Sequence, residues 1–288
     1  MRRVVLLAHP AGHSLSPVLH DAAFEAIGLD ARYEAWDVPP AELADALARL
    51  RSDPAMLGGN VTVPHKAAVL PLLDEVRPDA AAIGAVNVLI REGERWIGDS
   101  SDGAGFLRSL EEAGVDPAGR AVALIGAGGA ARAVGWALAG AGVERVAIVN
   151  RTLERARAVA RLLQGARDDL AVEVAADARG VSGIDLWVQA TSLGMRRGGV
   201  DPDETPVDAA TLATASGGPD PVAVDLVYRP RRTPFLAAAE AAGLRTVDGV
   251  GMLLHQGAEA FEAWTGEAAP LAVMRDALAA ALAAEEGP

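Results

Sequence analysis

Of the 26 basic residues in this 288-residue chain, Lys66 is the only lysine; the others are arginines. Either side chain solubilises a surface, but only an ammonium can exchange a proton, because guanidinium stays protonated at every working pH. A chain that replaces lysine by arginine wherever it can, and keeps one, marks that one for proton-transfer chemistry. Amides are equally scarce: the asparagines are Asn60, Asn87 and Asn150, and the glutamines Gln164, Gln189 and Gln256. Lys66 closes the run Asn60-Val61-Thr62-Val63-Pro64-His65-Lys66, with polar side chains at 60, 62 and 66. Where a strand hands over to a helix such residues line a crevice, and Pro64 suits the first turn of that helix. The plainer alternatives are a solvated loop and a lysine kept by chance.

A second group sits at Gly126-Ala127-Gly128-Gly129-Ala130-Ala131. A glycine-rich turn between a strand and a helix lets the backbone approach a pyrophosphate, which the free N–H groups and partial positive charge of the helix N-terminus then hold. The alternative is a tight turn with no ligand. NAD binders place an acid about 20 residues past the glycines to accept from the ribose 2′-hydroxyl. Here Asn150-Arg151-Thr152 stands instead, followed by Arg155. Two cations at i, i+4, read as one helical face, suit a 2′-phosphate and so imply NADP. A helix with a merely basic first turn would oppose its own dipole.

The elements that must position these residues follow a βαβ rhythm. Strands are expected at 3–8, 32–38, 56–62, 121–125, 145–149, 170–174, 186–189 and 222–226, with a hairpin of 85–90 and 95–98 around Glu92-Gly93. Helices are expected at 17–27, 41–50, 105–113, 131–140, 153–163, 251–264 and 270–284. Residues 196–206 and 216–221 read as loops. This pattern is α/β with mostly parallel strands, and the length suggests about two domains.

Composition narrows the function classes. Hydrophobic residues make up 51% and charged residues 23%, ordinary for a globular protein. The net charge of −13 is the opposite of a nucleic-acid binder's field, so an anionic ligand needs a local pocket. Without cysteine there is no disulfide, thiolate metal site or thiol nucleophile. His9, His13 and His20 show no ligand spacing, and no metal is expected. His255 reads as packing, and His65 as pointing away from Lys66. The apolar run ending at Ala8 is too short for a signal peptide or a span, which predicts a soluble, cytoplasmic protein with no membrane partner.

Taken in order, His13-Ser14-Leu15-Ser16-Pro17, the 60–66 run, Gly84-Ala85-Val86-Asn87, Gly98-Asp99-Ser100-Ser101-Asp102-Gly103, the glycine turn, Asn150-Arg151-Thr152, Ala190-Thr191-Ser192 and Asp248-Gly249-Val250-Gly251-Met252-Leu253 make the chain resemble the shikimate dehydrogenase family over essentially its full length. The resemblance implies NADPH-linked reduction of 3-dehydroshikimate to shikimate, in aromatic amino-acid biosynthesis. It implies two α/β domains with the site in a cleft between them: residues 1–102 plus 249–288 for substrate, and a Rossmann domain at 103–248 for NADP. Ser14 and Ser16 would hold the substrate carboxylate, with Tyr228 as a third donor. Asn60, Thr62, Asn87, Asp102 and Gln256 would bond the ring hydroxyls. Lys66 would reach the reacting oxygen, oriented by Asp102. Gly126 to Ala130, Asn150, Arg151, Thr152, Arg155, Thr191, Ser192, Gly249 and Met252 would contact the cofactor. A monomer or homodimer is expected.

Two positions depart from the family pattern. Ser100-Ser101 replaces the usual Asn-Thr, which keeps the second hydroxyl but shortens a side chain near the interdomain hinge. Leu15 stands where many relatives carry lysine, at a position read as facing away from the ligand. The competing readings are a quinate/shikimate dehydrogenase using NAD or NADP, and a silent ligand sensor on the same fold. The sensor would be expected to lose the Lys66–Asp102 pair.

Overall fold

The computed structural model describes residues 1–12, 14–195 and 201–286. His13 and the first five residues of the expected 196–206 loop lie outside them. The chain forms two compact units, 1–105 with 254–288, and 106–253. The changeovers fall inside helices, a few residues from the motif ends at 102 and 249.

The first unit opens with β1 (Arg2–Ala8), α1 (Ser16–Ala26), β2 (Ala31–Asp37), α2 (Leu43–Ser52) and β3 (Met56–Val61). Then come β4 (Glu75–Val76), α3 (Pro78–Ile83), β5 (Val88–Glu92), β6 (Arg95–Asp99) and the start of α4 (Asp102–Glu112). Its sheet runs β2-β1-β3-β5-β6-β4. β2, β1 and β3 are parallel, whereas β5 is antiparallel to both neighbours, β3 and β6. Val5 and Leu7 of β1 pack with Leu47, Leu50, Val61, Leu89 and Trp96 in one buried cluster.

The second unit continues with β7 (Ala121–Ile125), α5 (Gly129–Gly140), β8 (Arg145–Val149), α6 (Leu153–Ala166), β9 (Ala171–Ala175), β10 (Leu186–Gln189), α7 (Ala209–Ala215), β11 (Val222–Asp225), α8 (Pro234–Ala241) and β12 (Arg245–Val247). Its sheet is parallel throughout, in the order β12-β11-β10-β7-β8-β9. Side chains alternate across it: Val122 and Leu124 enter one core, Ala123 and Ile125 the other. Burial on both faces explains why these strands read as unbroken apolar runs. The chain ends with α9 (Val250–Thr265) and α10 (Leu271–Glu286). Among the described residues no helix is long and apolar enough to cross a membrane.

Sequence and structure differ most at 62–72. The helix expected after Pro64 does not form; the segment is a series of turns ending in a short 3-10 turn at Leu70–Leu72. The Lys66 carbonyl accepts from Val86 N–H at 2.8 Å instead of from its own next turn. Pro71 supplies no N–H and disfavours helix at Leu70, so one α-type bond closes, Val69 N–H to His65 C=O, and the turns around it are of the tighter i→i−3 kind.

Candidate active site

Lys66 is held by backbone anchors on both sides. His65 is 1% exposed, and its Nε2 donates to the Val38 carbonyl at 2.7 Å, turning the imidazole into the core. The carbonyl of Lys66 is taken by Val86, so the ammonium is the part left to act. It donates to Asp102 Oδ2. The two side chains are 15% and 6% exposed, so most of the water that would screen the pair is excluded. Asp102 is the first residue of α4, where the helix dipole favours a carboxylate.

Asn87, 2% exposed, ties the cluster together. Its Nδ2 faces Asp102 Oδ1 and Ser101 Oγ at 3.0 Å and Gln256 Oε1 at 3.2 Å. Its Oδ1 accepts the Ser101 backbone N–H at 2.8 Å, which fixes which end of the amide is which. The Ser101 hydroxyl donates to the Gln256 carbonyl at 3.0 Å. One helical turn into α4, a methyl group on Gly105 would stand 2.6 Å from the Gln256 nitrogen, so only glycine lets α9 come this near. Asn60 donates from Nδ2 to the Asn87 carbonyl at 2.9 Å and accepts the Tyr33 hydroxyl at 2.8 Å. Lys66, Asp102, Asn87, Asn60 and Gln256 therefore form one connected polar network, joined by Ser101 and Tyr33. Thr62 lies just past β3, half-buried. Ser14 and Ser16 sit at the start of α1, where Ser16 N–H donates to Ser14 Oγ at 3.2 Å. Leu15 between them is buried, at 5% exposure. Ser100 N–H donates to Asp99 Oδ1 at 2.7 Å.

In the second unit Gly126 follows β7 with φ +117°, a conformation glycine adopts without strain. A side chain there would stand 3.1 Å from the Ala190 carbonyl and Thr191 Cγ2. Gln189 is fully buried and shapes that neighbouring loop, accepting from Thr191 N–H and donating to the Leu193 carbonyl at 3.1 Å. A methyl group on Gly128 would meet nothing within 4 Å, and α5 starts at Gly129 with no side-chain cap. Ala127 and Ala130 flank this opening half-buried, and Ser192 follows Thr191 in the same state. Asn150 Nδ2 donates to the Thr152 carbonyl at 2.9 Å, folding the turn that precedes α6. Arg151 and Arg155 are exposed, and neither makes an ion pair among the described residues. They do not share one helical face as expected: α6 begins only at Leu153, with Thr152 as its cap, so Arg151 projects from the turn before it.

Tyr228 follows β11 in this unit, half-buried. Just before it, Asp225 is fully buried and accepts from Val227 N–H at 2.9 Å and the Thr233 hydroxyl at 2.6 Å. Burial nonetheless pushes its carboxyl up to about 7. A methyl group on Gly249 would lie 2.5 Å from the Leu226 carbonyl. Met252 is 8% exposed and belongs to the core with Phe106 and Leu110. Among the described residues no three His, Asp or Glu side chains gather as a metal site requires.

Family models match three stretches in sequence: the shikimate dehydrogenase substrate binding domain at 6–89, shikimate / quinate 5-dehydrogenase at 110–192, and the shikimate 5'-dehydrogenase C-terminal domain at 249–279. The shikimate dehydrogenase (NADP(+)) of Moorella thermoacetica is 48% identical over 288 residues, covering 99% of this chain and 95% of its own. The chain belongs to the shikimate dehydrogenase family. Among solved structures, the shikimate 5-dehydrogenase of Thermus thermophilus in complex with NADP(H) and shikimate superposes with a TM-score of 0.85 at 40% identity, covering 98% of this chain and all of that one. The quinate dehydrogenase of Corynebacterium glutamicum in complex with NAD gives 0.84 at 31% identity, covering 97% and 99%.

Two residues were given no site role from sequence: Tyr33, which joins the network at Asn60, and Gln189, which shapes the loop beside Gly126. Tyr33 sits in β2 as an ordinary inward-facing aromatic, and Gln189 as the last residue of an apolar strand. The signal that could have found them was scarcity: Tyr33 and Tyr228 are the only tyrosines in the chain, and glutamine is as rare as asparagine.

Proposed function

We propose that this chain catalyses the reversible NADPH-dependent reduction of 3-dehydroshikimate to shikimate in aromatic amino-acid biosynthesis, with Lys66 and Asp102 as the proton-transfer pair. The observation that carries the reading is the Lys66–Asp102 contact, set among the amides of Asn60, Asn87 and Gln256 in a mostly buried site. The names of the relatives support the same reaction and cofactor.

The residues present fit NADP. Gly126 and Gly128 leave room for a pyrophosphate against the uncapped start of α5, and the exposed guanidiniums of Arg151 and Arg155 suit a 2′-phosphate. When bound, the nicotinamide supplies the hydride. Gly126, Ala127, Gly128, Gly129 and Ala130 would hold the diphosphate, and Asn150, Arg151, Thr152 and Arg155 the adenosine end. Thr191, Ser192, Gly249 and Met252 would line the rest. We assign the cofactor to residues 103–248 and the substrate to residues 1–102 with 249–288.

Substrate binding falls to Ser14 and Ser16 at the carboxylate, with Tyr228 as a further donor, and to Asn60, Thr62, Asn87, Asp102 and Gln256 at the ring hydroxyls. As hydride adds to the carbonyl carbon, the C=O π pair moves onto oxygen, and Lys66 gives that oxygen its proton. Asp102 keeps the ammonium aimed and balances its charge. Solvent reprotonates the amine, and in the oxidative direction the same amine takes the hydroxyl proton. We assign the protein to the cytoplasm, as a monomer or homodimer.

The test is the absorbance of NADPH on mixing with 3-dehydroshikimate, with shikimate and quinate run against NADP and NAD in parallel. Turnover confined to shikimate with NADP is expected. Comparable turnover of quinate, or a preference for NAD, would move the protein to the quinate/shikimate enzymes. Tight binding without turnover would make it a sensor.

A further inference from the structure

Tyr33 is 2% exposed and stacks on His20, with ring centroids 4.7 Å apart and planes 12° from parallel. Trp264 leans on both rings at 5.0 and 6.2 Å, and is itself pinned by its indole N–H, which donates to the Leu89 carbonyl at 3.0 Å. His20 is fully buried, and neither ring nitrogen has a hydrogen-bond partner among the described residues. Burial pushes its pKa down to about 3, so the ring stays neutral and works as a flat plate. Aromatic contacts thus clamp the Tyr33 ring, and its hydroxyl is aimed at Asn60.

Two contacts set the Asn60 amide. The Asn87 carbonyl receives both Val61 N–H, at 3.0 Å, and Asn60 Nδ2, at 2.9 Å. A carbonyl only accepts, so it decides which end of the Asn60 amide faces it. One bond still lets the amide plane swivel; the Tyr33 hydroxyl on Oδ1, at 2.8 Å, supplies the second point that fixes it. The Asn60 side chain makes no third hydrogen bond among the described residues, which leaves one N–H and one oxygen lone pair for a ligand hydroxyl.

We propose that Tyr33 is a positioning residue for substrate: by locking the Asn60 amide plane it presents that donor and acceptor in a fixed orientation. The inference rests on the function proposed above. Tyr33→Phe keeps the aromatic stack and removes only the hydroxyl. We expect about a tenfold loss in kcat/KM for shikimate, the scale of one hydrogen bond, carried by KM for shikimate. KM for NADP and the melting temperature should stay close to wild type, whereas a merely structural role would move all three. Because Tyr33 acts through Asn60, the Tyr33→Phe/Asn60→Ala double variant should lose no more than Asn60→Ala alone. An unchanged KM for shikimate in Tyr33→Phe, or a loss that adds in full to that of Asn60→Ala, would overturn the assignment. Wild type run in the same assay separates the two claims, since its failure to oxidise shikimate would overturn the proposed function and this inference together.

Discussion

Asn87 Nδ2 lies 3.0 Å from Asp102 Oδ1, the carboxylate oxygen that Lys66 does not use. Asp102 is therefore gripped on one side by a neutral amide and faces the ammonium with the other. Its aim does not depend on Lys66, and it keeps a partner when Lys66 gives up its proton. Asn87 in turn is fixed by the backbone of Ser101.

Removing the proton donor should abolish most turnover while leaving binding nearly intact. Lys66→Met is expected to lower kcat by about 10² to 10⁴, the range for positioned proton transfer. Lys66→Arg should fare little better, because guanidinium cannot release a proton, even though charge beside Asp102 is kept. Stopped-flow NADPH absorbance with 3-dehydroshikimate decides it. Turnover near wild type in Lys66→Met would remove Lys66 from the chemistry.

Arg151→Ala and Arg155→Ala should each raise KM for NADP about tenfold or more, with kcat little changed, since each removes a charged donor worth roughly 1.5–3 kcal/mol. KM for NAD should not rise. Added salt should weaken NADP binding to wild type and do so less in the double variant. Equal effects on both cofactors would place these arginines elsewhere than at a 2′-phosphate.

Much of this is legible in the sequence, for physical reasons that differ by element. Fully buried parallel strands such as β7 and β10 announce themselves as apolar runs, and the glycine turn sits directly between a strand and a helix. Lys66 and the asparagines stand out because the chain holds so few residues of their kind. What stays hidden depends on contacts distant in sequence. The 62–72 segment reads wrongly because its helix is cut short by a hydrogen bond from Val86, some 20 residues on. The short elements α3, α7, α8 and β12 carry too few residues to show a period. Tyr33 looks like any buried aromatic until Asn60 comes within 2.8 Å.

Gly105→Ala reverses the usual sign of its class. In an ordinary helix this change stabilises by about 0.5–1 kcal/mol. Here the new methyl group would sit 2.6 Å from Gln256 N and 2.7 Å from its Cβ, so α9 must move. Melting temperature should fall, and KM for shikimate should rise as Gln256 leaves Asn87. A variant that melts higher than wild type with unchanged KM would show that α9 yields at no cost.

Asp225 gives a pH prediction with a definite sign. Its folded-state pKa is raised to about 7 from the ordinary 3.8, so between those values the folded chain holds a proton that the unfolded chain has lost. Its contribution to stability is complete below about pH 3.8 and disappears as pH rises through 7. His20 works in the opposite sense: lowered from 6.5 to about 3, it costs stability as pH falls through that window. Raw stability curves therefore mix the two, and the difference between wild type and Asp225→Asn isolates the first. Asparagine can accept Val227 N–H with Oδ1 and donate to Thr233 Oγ1, and it cannot ionise. From pH 4.5 to 7.5 the variant should gain on wild type by on the order of 1 kcal/mol per pH unit, read from denaturant midpoints. A pH-independent stability difference would mean that Asp225 is ionised throughout in the folded protein.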